Sequence, residues 1–454
     1  MKGDSRYMVK LKDLSSFAHR KVNLVGLVVE FSVPRRTNGT DYCTVLKIID
    51  QSQQTPEVTV NVFMRNIDGL PHLRSHKDII LLCSFKVEFY NQNYTAVYDH
   101  KASSFALFDG RITNDFTPYQ VSPSFYSLHS DKHFVRRMRN WSQITPFDAG
   151  TSDYAVLLKD IKGHEFIDLV CMVLHLCEIS NDKWMLFVWD GTDAPALHLE
   201  KEVGADKLPL QLEQTGLPPN VLNNFPRLGT VLRVMIDEKY EHFGNHFKIV
   251  RDWVRIRNLH CRTVSGLWEG VLTPQTKIRH LSRNDNSVVG HLRDYKERIA
   301  RQGCLPSCIS PTSNFLTEVP NFEQARCTTL MELLTSPLVR GMFKCVVRFL
   351  AVLPAEVECF RSPTGSYRMR ITLEDPTARI HALLQSGDAD EFFGDELDID
   401  ALAVKMNRLL GMSESDNTWR NPPWSVCCIG FHSSNENDLW GSRHFHICNT
   451  RLVT

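Results

Sequence analysis

Three stretches of the chain share one pattern of apolar and polar positions. Residues 21–63 read KVNLVGLVVEFSV, a polar loop, TVLKIIDQS and then EVTVNVF. Residues 165–200 read EFIDLVCMVLHLCEIS, a short turn, KWMLFVWDGTDAP and then ALHLE. Residues 342–384 read MFKCVVRFLAVLPAEVECF, a turn, YRMRITLEDPT and then ARIHALL. Each predicts a strand, a connection, a second strand, an Asp-led turn and a third strand. The turns are Asp50-Gln51-Ser52, Asp190-Gly191-Thr192 and Asp375-Pro376-Thr377. An Asp at this place bonds nearby backbone and tolerates the dihedrals of a tight hairpin. Alternation is plain in Val58, Val60 and Val62 and in Met185, Phe187 and Trp189. It is blurred over Val45–Ile49, as in a strand covered on both faces.

Further strands follow each meander. They are DIILLCSFKVEFYN and TAVYDHKASSFALFDG in the first unit, LGTVLRVMIDEKYEHF and HFKIVRDWVRIRNLHC in the second, WSVCCIGFH and SRHFHICNTRL in the third. That order suits an oligonucleotide-binding (OB) barrel, with another antiparallel sandwich as the alternative. The fold expected is all-β with minor α: tandem five-stranded Greek-key OB barrels, three in a row. The first barrel spans residues 1–145, the second 146–272, a linker with a short helix 273–325, and the C-terminal barrel 326–454. SDKHFVRRMRNWSQI places Phe134, Met138 and Trp141 at helical spacing, a helix read as closing the bottom of the first barrel with its arginines solvated. ELDIDALAVKMNRLL predicts a helix between strands of the third barrel, its acidic residues at the favoured end. Trp189 reads as core.

Composition narrows the class. At 454 residues the chain predicts about two to four domains. It has no membrane-length apolar run, and its first residues lack a signal-peptide core, so the cytosol or nucleus is expected and the 13 cysteines read as thiols. With 52 basic and 52 acidic residues, bulk charge does not hold this chain to duplex DNA. A local groove combining charge with ring stacking remains open. No paired CxxC, HExxH, GxSxG or phosphate-binding glycine loop occurs, so no metal, cofactor or enzyme is expected.

The sharpest segment is VPRRTNGTDYC, residues 33–43. Arg35 and Arg36 suit phosphate or base edges, Gly39 lets the loop turn, and Thr40 and Asp41 offer hydrogen bonds to bases. Tyr42 either stacks or supports the loop. Phe63, Tyr90 and Tyr94 lie near Lys86, as in a base-stacking platform, although any one ring could instead fill the core. Phe89 and Tyr90 point to opposite faces, so one of them is expected to be exposed. In the second unit Trp184, Tyr240 and His242 are candidates for stacking or for packing on their own loops.

Together GTDYC (39–43), IIDQS (48–52), VNVF (60–63), LP (70–71), KVEFY (86–90) and SSFALF (103–108) resemble the first barrel of the protection-of-telomeres family. FIDLVCMVLHL and VWDGT resemble its second barrel, and NPPWSVCCIGFHSSNENDLWGSRHFHI the C-terminal region of land-plant members. The resemblance implies a nuclear, telomeric protein that binds the G-rich 3′ single strand through two barrels. It further implies that residues 326–454 meet telomerase and other telomere-end proteins. By position Phe63 and Tyr90 match the family's stacking rings, Gly39, Thr40 and Asp41 its base-contacting loop, and Lys86 a basic strand position. Ser84 stands where animal members carry a DNA-contacting arginine, and the zinc cysteines of the animal C-terminal region have no counterpart. A telomerase accessory working through protein or RNA contacts is the alternative.

Overall fold

The structure, a computed structural model, describes residues 5–75, 77–145, 154–180, 183–211, 217–236, 250–310, 313–322, 325–394, 398–412 and 418–453. In the first unit β1 (Lys21–Ser32), β2 (Tyr42–Ile49), β3 (Val58–Met64), β4 (Ile79–Tyr90) and β5 (Asn93–Val97) close a ring. Strand β1 pairs with β2 and β4, β2 with β3, and β4 with β5, all antiparallel, while β3 and β5 run parallel. This is OB connectivity. Gly26 allows β2 to approach the bend of β1, where a Cβ would lie 3.0 Å from that of Ile48. Val58, Val60, Val62 and Met64 point inward, as their alternation requires.

Strand β4 is continuously apolar because both of its faces are buried. Ile80 and Leu82 face the barrel interior, and Ile79 and Leu81 face α1 (Asp131–Ile144). That helix lays Val135, Met138 and Trp141 on the outer wall instead of closing the barrel's end. The interior is already filled by Leu11 and Leu14 from a 3-10 turn, and by Leu70. Nor is Arg139 solvated. It is buried and donates to the carbonyls of Asp109, Thr113 and Asp115.

In the second unit β6 (Glu165–Ser180), β7 (Lys183–Trp189), β8 (Leu232–Ile236), β9 (Trp253–Val264) and β10 (Leu267–Leu272) close by the same pairings, with β8 and β10 parallel. Its third strand is therefore LRVMI and not ALHLE. Leu199 and Glu200 pair with Trp419 and Arg420 of the third unit, and Leu199, Ala205 and Leu208 are buried against Leu350 and Ala351. Residues 273–325 hold β11 (Lys277–Leu281) and α2 (Asn286–Gln302). Strand β11 extends the sheet of β9, and α2 packs Val288, Leu292 and Tyr295 near Trp189 and Trp253.

In the third unit β12 (Arg340–Leu353), β13 (Arg368–Glu374), β14 (Arg379–Gln385), β15 (Trp424–Ser433) and β16 (Arg443–Cys448) form a closed barrel. Helix α3 (Ile399–Leu409) is inserted before β15 and capped by Asp398, which accepts from Ala401 N at 2.6 Å. No helix among the described residues is long and apolar enough to cross a membrane.

The Asp-led turns prove to be one device used three times. Asp50 Oδ1 accepts from the N–H of Ser52 (2.7 Å) and Gln53 (2.9 Å), and Oδ2 accepts from Leu11 N (3.0 Å). Asp190 Oδ1 accepts from Thr192 N (2.8 Å), and Oδ2 from Leu158 N (2.7 Å). Asp375 Oδ1 accepts from Thr377 N (2.7 Å) and Ala378 N (2.9 Å), and Oδ2 from Leu330 N (2.7 Å). Leu11, Leu158 and Leu330 each begin a short helical turn ahead of the barrel's first strand. One carboxylate thus shapes the hairpin and caps the segment that enters the barrel.

The barrels are joined tightly. Strand β11 pairs with β9 and also with the end of β1, and Val33 of the first unit lies in the core of the second. Arg257 meets Glu30 at 3.1 Å and Arg279 meets Glu57 at 2.7 Å across this junction. On the other side buried Arg348 donates to Leu197 O at 3.0 Å, and buried Arg420 donates to Val203 O at 2.8 Å.

Replacing Asp375 by Ala leaves three interior N–H groups unpaired, at about 1–3 kcal/mol each. Thermal or denaturant unfolding of Asp375→Ala is expected to show a loss of at least about 3 kcal/mol. Burial pushes the Asp375 carboxyl up to about 6, above the value of about 3.9 for an unfolded chain. The folded state therefore takes up a proton as pH falls through that window, and this group's contribution to stability rises from about pH 6 to about pH 4. Asp375→Asn cannot titrate, so the gap in melting temperature between wild type and variant should be wider at pH 5 than at pH 7.5.

Candidate nucleic-acid interface

Outward positions of the first barrel form a groove of about 430 Å³ beside the β1–β2 loop, lined by Arg35, Arg36, Asn38, Phe63, Glu88 and Tyr90 among others. Strand register explains the set. Phe63 stands opposite Cys43, Val97 beside Asn61, and Thr95 opposite Glu88. Tyr90 is 68% exposed and Phe63 is half-buried. Both rings are therefore accessible from the groove. Phe89 is also exposed, but it meets Tyr94 with ring centroids 5.0 Å apart, and does not line the groove. Burial pushes the Cys43 thiol up, so this side chain adds no charge to the groove.

The loop above the groove is closed on itself. Thr37 N and Oγ1 both donate to Asp41 O, at 2.8 and 2.9 Å, and Gly39 N donates to Thr37 Oγ1 at 3.3 Å. Arg35 and Arg36 are exposed and pair with Cys43 and Tyr42 as a two-residue strand. Thr40 Oγ1 lies 3.3 Å from Asp41 Oδ1, and His100 Nε2 lies 2.9 Å from Asp41 Oδ2. The loop is thereby tied to the chain after β5, and Gly39 and Thr40 are left exposed at its tip. Because Val33 is anchored in the second barrel, the loop springs directly from the junction.

Other candidates take different places. Tyr42 and Tyr94 pack on the interior cluster and support the groove from within. Lys86 shares the outward face with Glu88 and pairs with it at 2.8 Å, a contact that raises the lysine's pKa. Trp184 packs on the interior cluster of the second barrel, with its Nε1 buried. Tyr240 and His242 lie outside the described residues. Ser84 adopts a left-handed backbone (φ 56°), its N–H bonded to Asn23 and its carbonyl to Ser103. Asn61, Glu88, Thr95 and Val97 escape sequence reasoning because only strand register brings them to the groove, and His100 because only a contact with Asp41 brings it to the loop.

Register also locates the equivalent face of the second barrel. His260 stands opposite Val271 as Lys86 stands opposite Val97, and Arg262 opposite Glu269 as Glu88 stands opposite Thr95. Phe166, 57% exposed, stacks on His260 with centroids 4.8 Å apart. Arg262 pairs with Glu269 at 2.5 Å. Among the described residues no group of His, Cys, Asp and Glu is placed to hold a metal ion.

Comparison with known proteins matches three stretches of the chain to family models. The family model described as "Telomeric single stranded DNA binding POT1/CDC13" matches residues 2–149. That for the "ssDNA-binding domain of telomere protection protein" matches 157–302, and a "POT1A-like, OB fold domain" matches 312–438. Protection of telomeres protein 1b of Arabidopsis thaliana is 36% identical over 450 residues, covering 98% of each chain. Protein 1a of the same plant is 35% identical over 480 residues, covering 100% of this chain and 99% of the relative. The crystal structure of fission yeast Pot1 with single-stranded DNA is 16% identical, covers 63% of this chain and 93% of its own, and has a TM-score of 0.26, too low to carry any argument. The two plant relatives match along almost their whole length, and the chain belongs to the protection-of-telomeres family.

Proposed function

We infer that the protein binds the single-stranded, G-rich telomeric 3′ end across its first two barrels, and that it catalyses no reaction. The observation that carries this reading is the groove that Phe63 and Tyr90 line together with Arg35 and Arg36. Rings take bases, and guanidinium groups take phosphates or base edges. The polar tip at Gly39, Thr40 and Asp41 supplies donors and acceptors that distinguish one base from another. His100 holds Asp41 ready before any strand arrives. Family membership supports the telomeric strand as the ligand and, with it, a nuclear site of action at chromosome ends. Covering that end would also limit the access of telomerase, with the third barrel available to telomere-end proteins.

The test is binding of the full chain to a labelled telomeric G-strand at physiological salt, beside a scrambled strand of equal composition. Phe63→Ala and Tyr90→Ala should each cost about 1–3 kcal/mol, or roughly 5–150-fold in affinity, with little change in melting temperature. Tyr42→Ala should instead lower the melting temperature, because its ring supports the core. Equal binding of the two strands by the wild type would overturn the reading. His100→Ala frees the Asp41 carboxylate and should lower affinity less than Phe63→Ala. Its effect on stability should be at most about 1 kcal/mol, since the pair is exposed to solvent.

A further inference from the structure

The first barrel's loop geometry recurs in the third. In Arg36-Thr37-Asn38-Gly39-Thr40-Asp41-Tyr42 the arginine and tyrosine are register partners, and Thr37 N donates to Asp41 O at 2.8 Å. In Arg361-Ser362-Pro363-Thr364-Gly365-Ser366-Tyr367 the arginine and tyrosine again form a bridge, and Ser362 N donates to Ser366 O at 2.8 Å. Both tyrosines pack against their barrel's interior cluster. Arg361 stays exposed, with its guanidinium 4.5 Å from the Tyr367 ring centroid.

The rest of the groove follows by register. Leu383 pairs with His446 as Asn61 pairs with Val97, and Arg368 stands opposite Gln385 as Cys43 stands opposite Phe63. His432 stands opposite His444 as Glu88 stands opposite Thr95. Imidazoles thus occupy positions that are acidic or neutral in the first groove, and arginine replaces Cys43. The His432 ring lies 5.3 Å from that of His444 and 6.3 Å from that of His446. Arg370 points from the same face of β13 as Arg368, and its Nε is buried with no hydrogen-bond partner among the described residues. Asp388 is the acidic neighbour of His446. The second unit bonds Thr372 and Arg379 at the other end of the same strands, and the helix Ser386–Phe393 packs beside β14 and β16.

We propose that the third barrel carries its own groove for a single-stranded nucleic acid, with phosphates held by Arg361, Arg368 and Arg370 and bases lying on the imidazoles of His432 and His444. The idea rests on the single-strand reading of the first groove, whose loop it repeats. The groove favours a polyanion over an apolar or basic protein segment, because register brings Arg368 and Arg370 to it with His432, His444 and His446, beside Arg361 of the loop, against the single carboxylate of Asp388 among the residues named here.

The test uses the full chain with deoxy and ribo strands of about 10 and about 30 nucleotides, since one OB barrel spans about 4–16 nucleotides. Photo-crosslinking maps where each strand lies. The long strand should crosslink within 361–370 or 432–446. Arg361→Ala/Arg370→Ala should weaken its binding about tenfold and flatten the salt dependence by about 0.7 for each phosphate that is no longer neutralised. Binding of the short strand should stay unchanged. His432→Ala/His444→Ala is a second variant that leaves the loop intact. The deoxy and ribo arms decide which strand the groove prefers. Absence of crosslinks in both segments, or equal effects of the variants on short and long strands, overturns the proposal. Short-strand binding reports separately on the first groove.

Discussion

One buried carboxylate per barrel holds the entry segment and the second hairpin in a single geometry. In each barrel the aspartate after the second strand accepts from its own turn and from the first N–H of the helical turn preceding strand one. Burial opposes the charge, pushing the carboxyls of Asp190 and Asp375 upward, but the array of N–H donors recovers part of that cost. Fixing the entry segment seats Leu11, Leu158 and Leu330 in their cores and sets where strand one begins. Every register in the closed ring then follows, and with it the parity that sends Phe63 outward and Val62 inward.

The junction between the first two barrels turns that local order into a binding surface. Strand β1 leaves its own barrel, pairs with β11, and buries Val33 in the neighbouring core. The loop of residues 33–43 therefore starts from the seam between barrels. Hydrogen-bonded strands and the Arg257–Glu30 and Arg279–Glu57 pairs fix the first groove and the equivalent face of the second barrel relative to each other. Such preorganisation reduces the ordering cost that a strand would otherwise impose on the protein.

Much of this is legible in the sequence, because hairpin turns and alternation are local properties. Asp50, Asp190 and Asp375 announce the turns, and Val58, Val60 and Val62 announce their inward face. Choices settled by distant contacts are not legible. Leu199 looks like part of a barrel strand, yet its apolar side chain is buried against Leu350 in another barrel. Tyr42 and Cys43 are adjacent, and only register decides that the thiol faces the groove while the ring supports it. Phe63 and Tyr90 stand out in the sequence because both are aromatic on strands, and both line the groove. His100, Phe166 and His260 are missed because a loop contact or a cross-strand pair gives them their positions.

The central claim is that one strand occupies the first groove and continues onto the second barrel's equivalent face. Amide hydrogen exchange of the full chain, with and without a telomeric G-strand long enough to reach both barrels, tests it directly. The account predicts slowed exchange in residues 35–43 and 88–97 and also in 258–271, with much less slowing from a scrambled strand. Slowing confined to other regions, or equal slowing by the two strands, would contradict it.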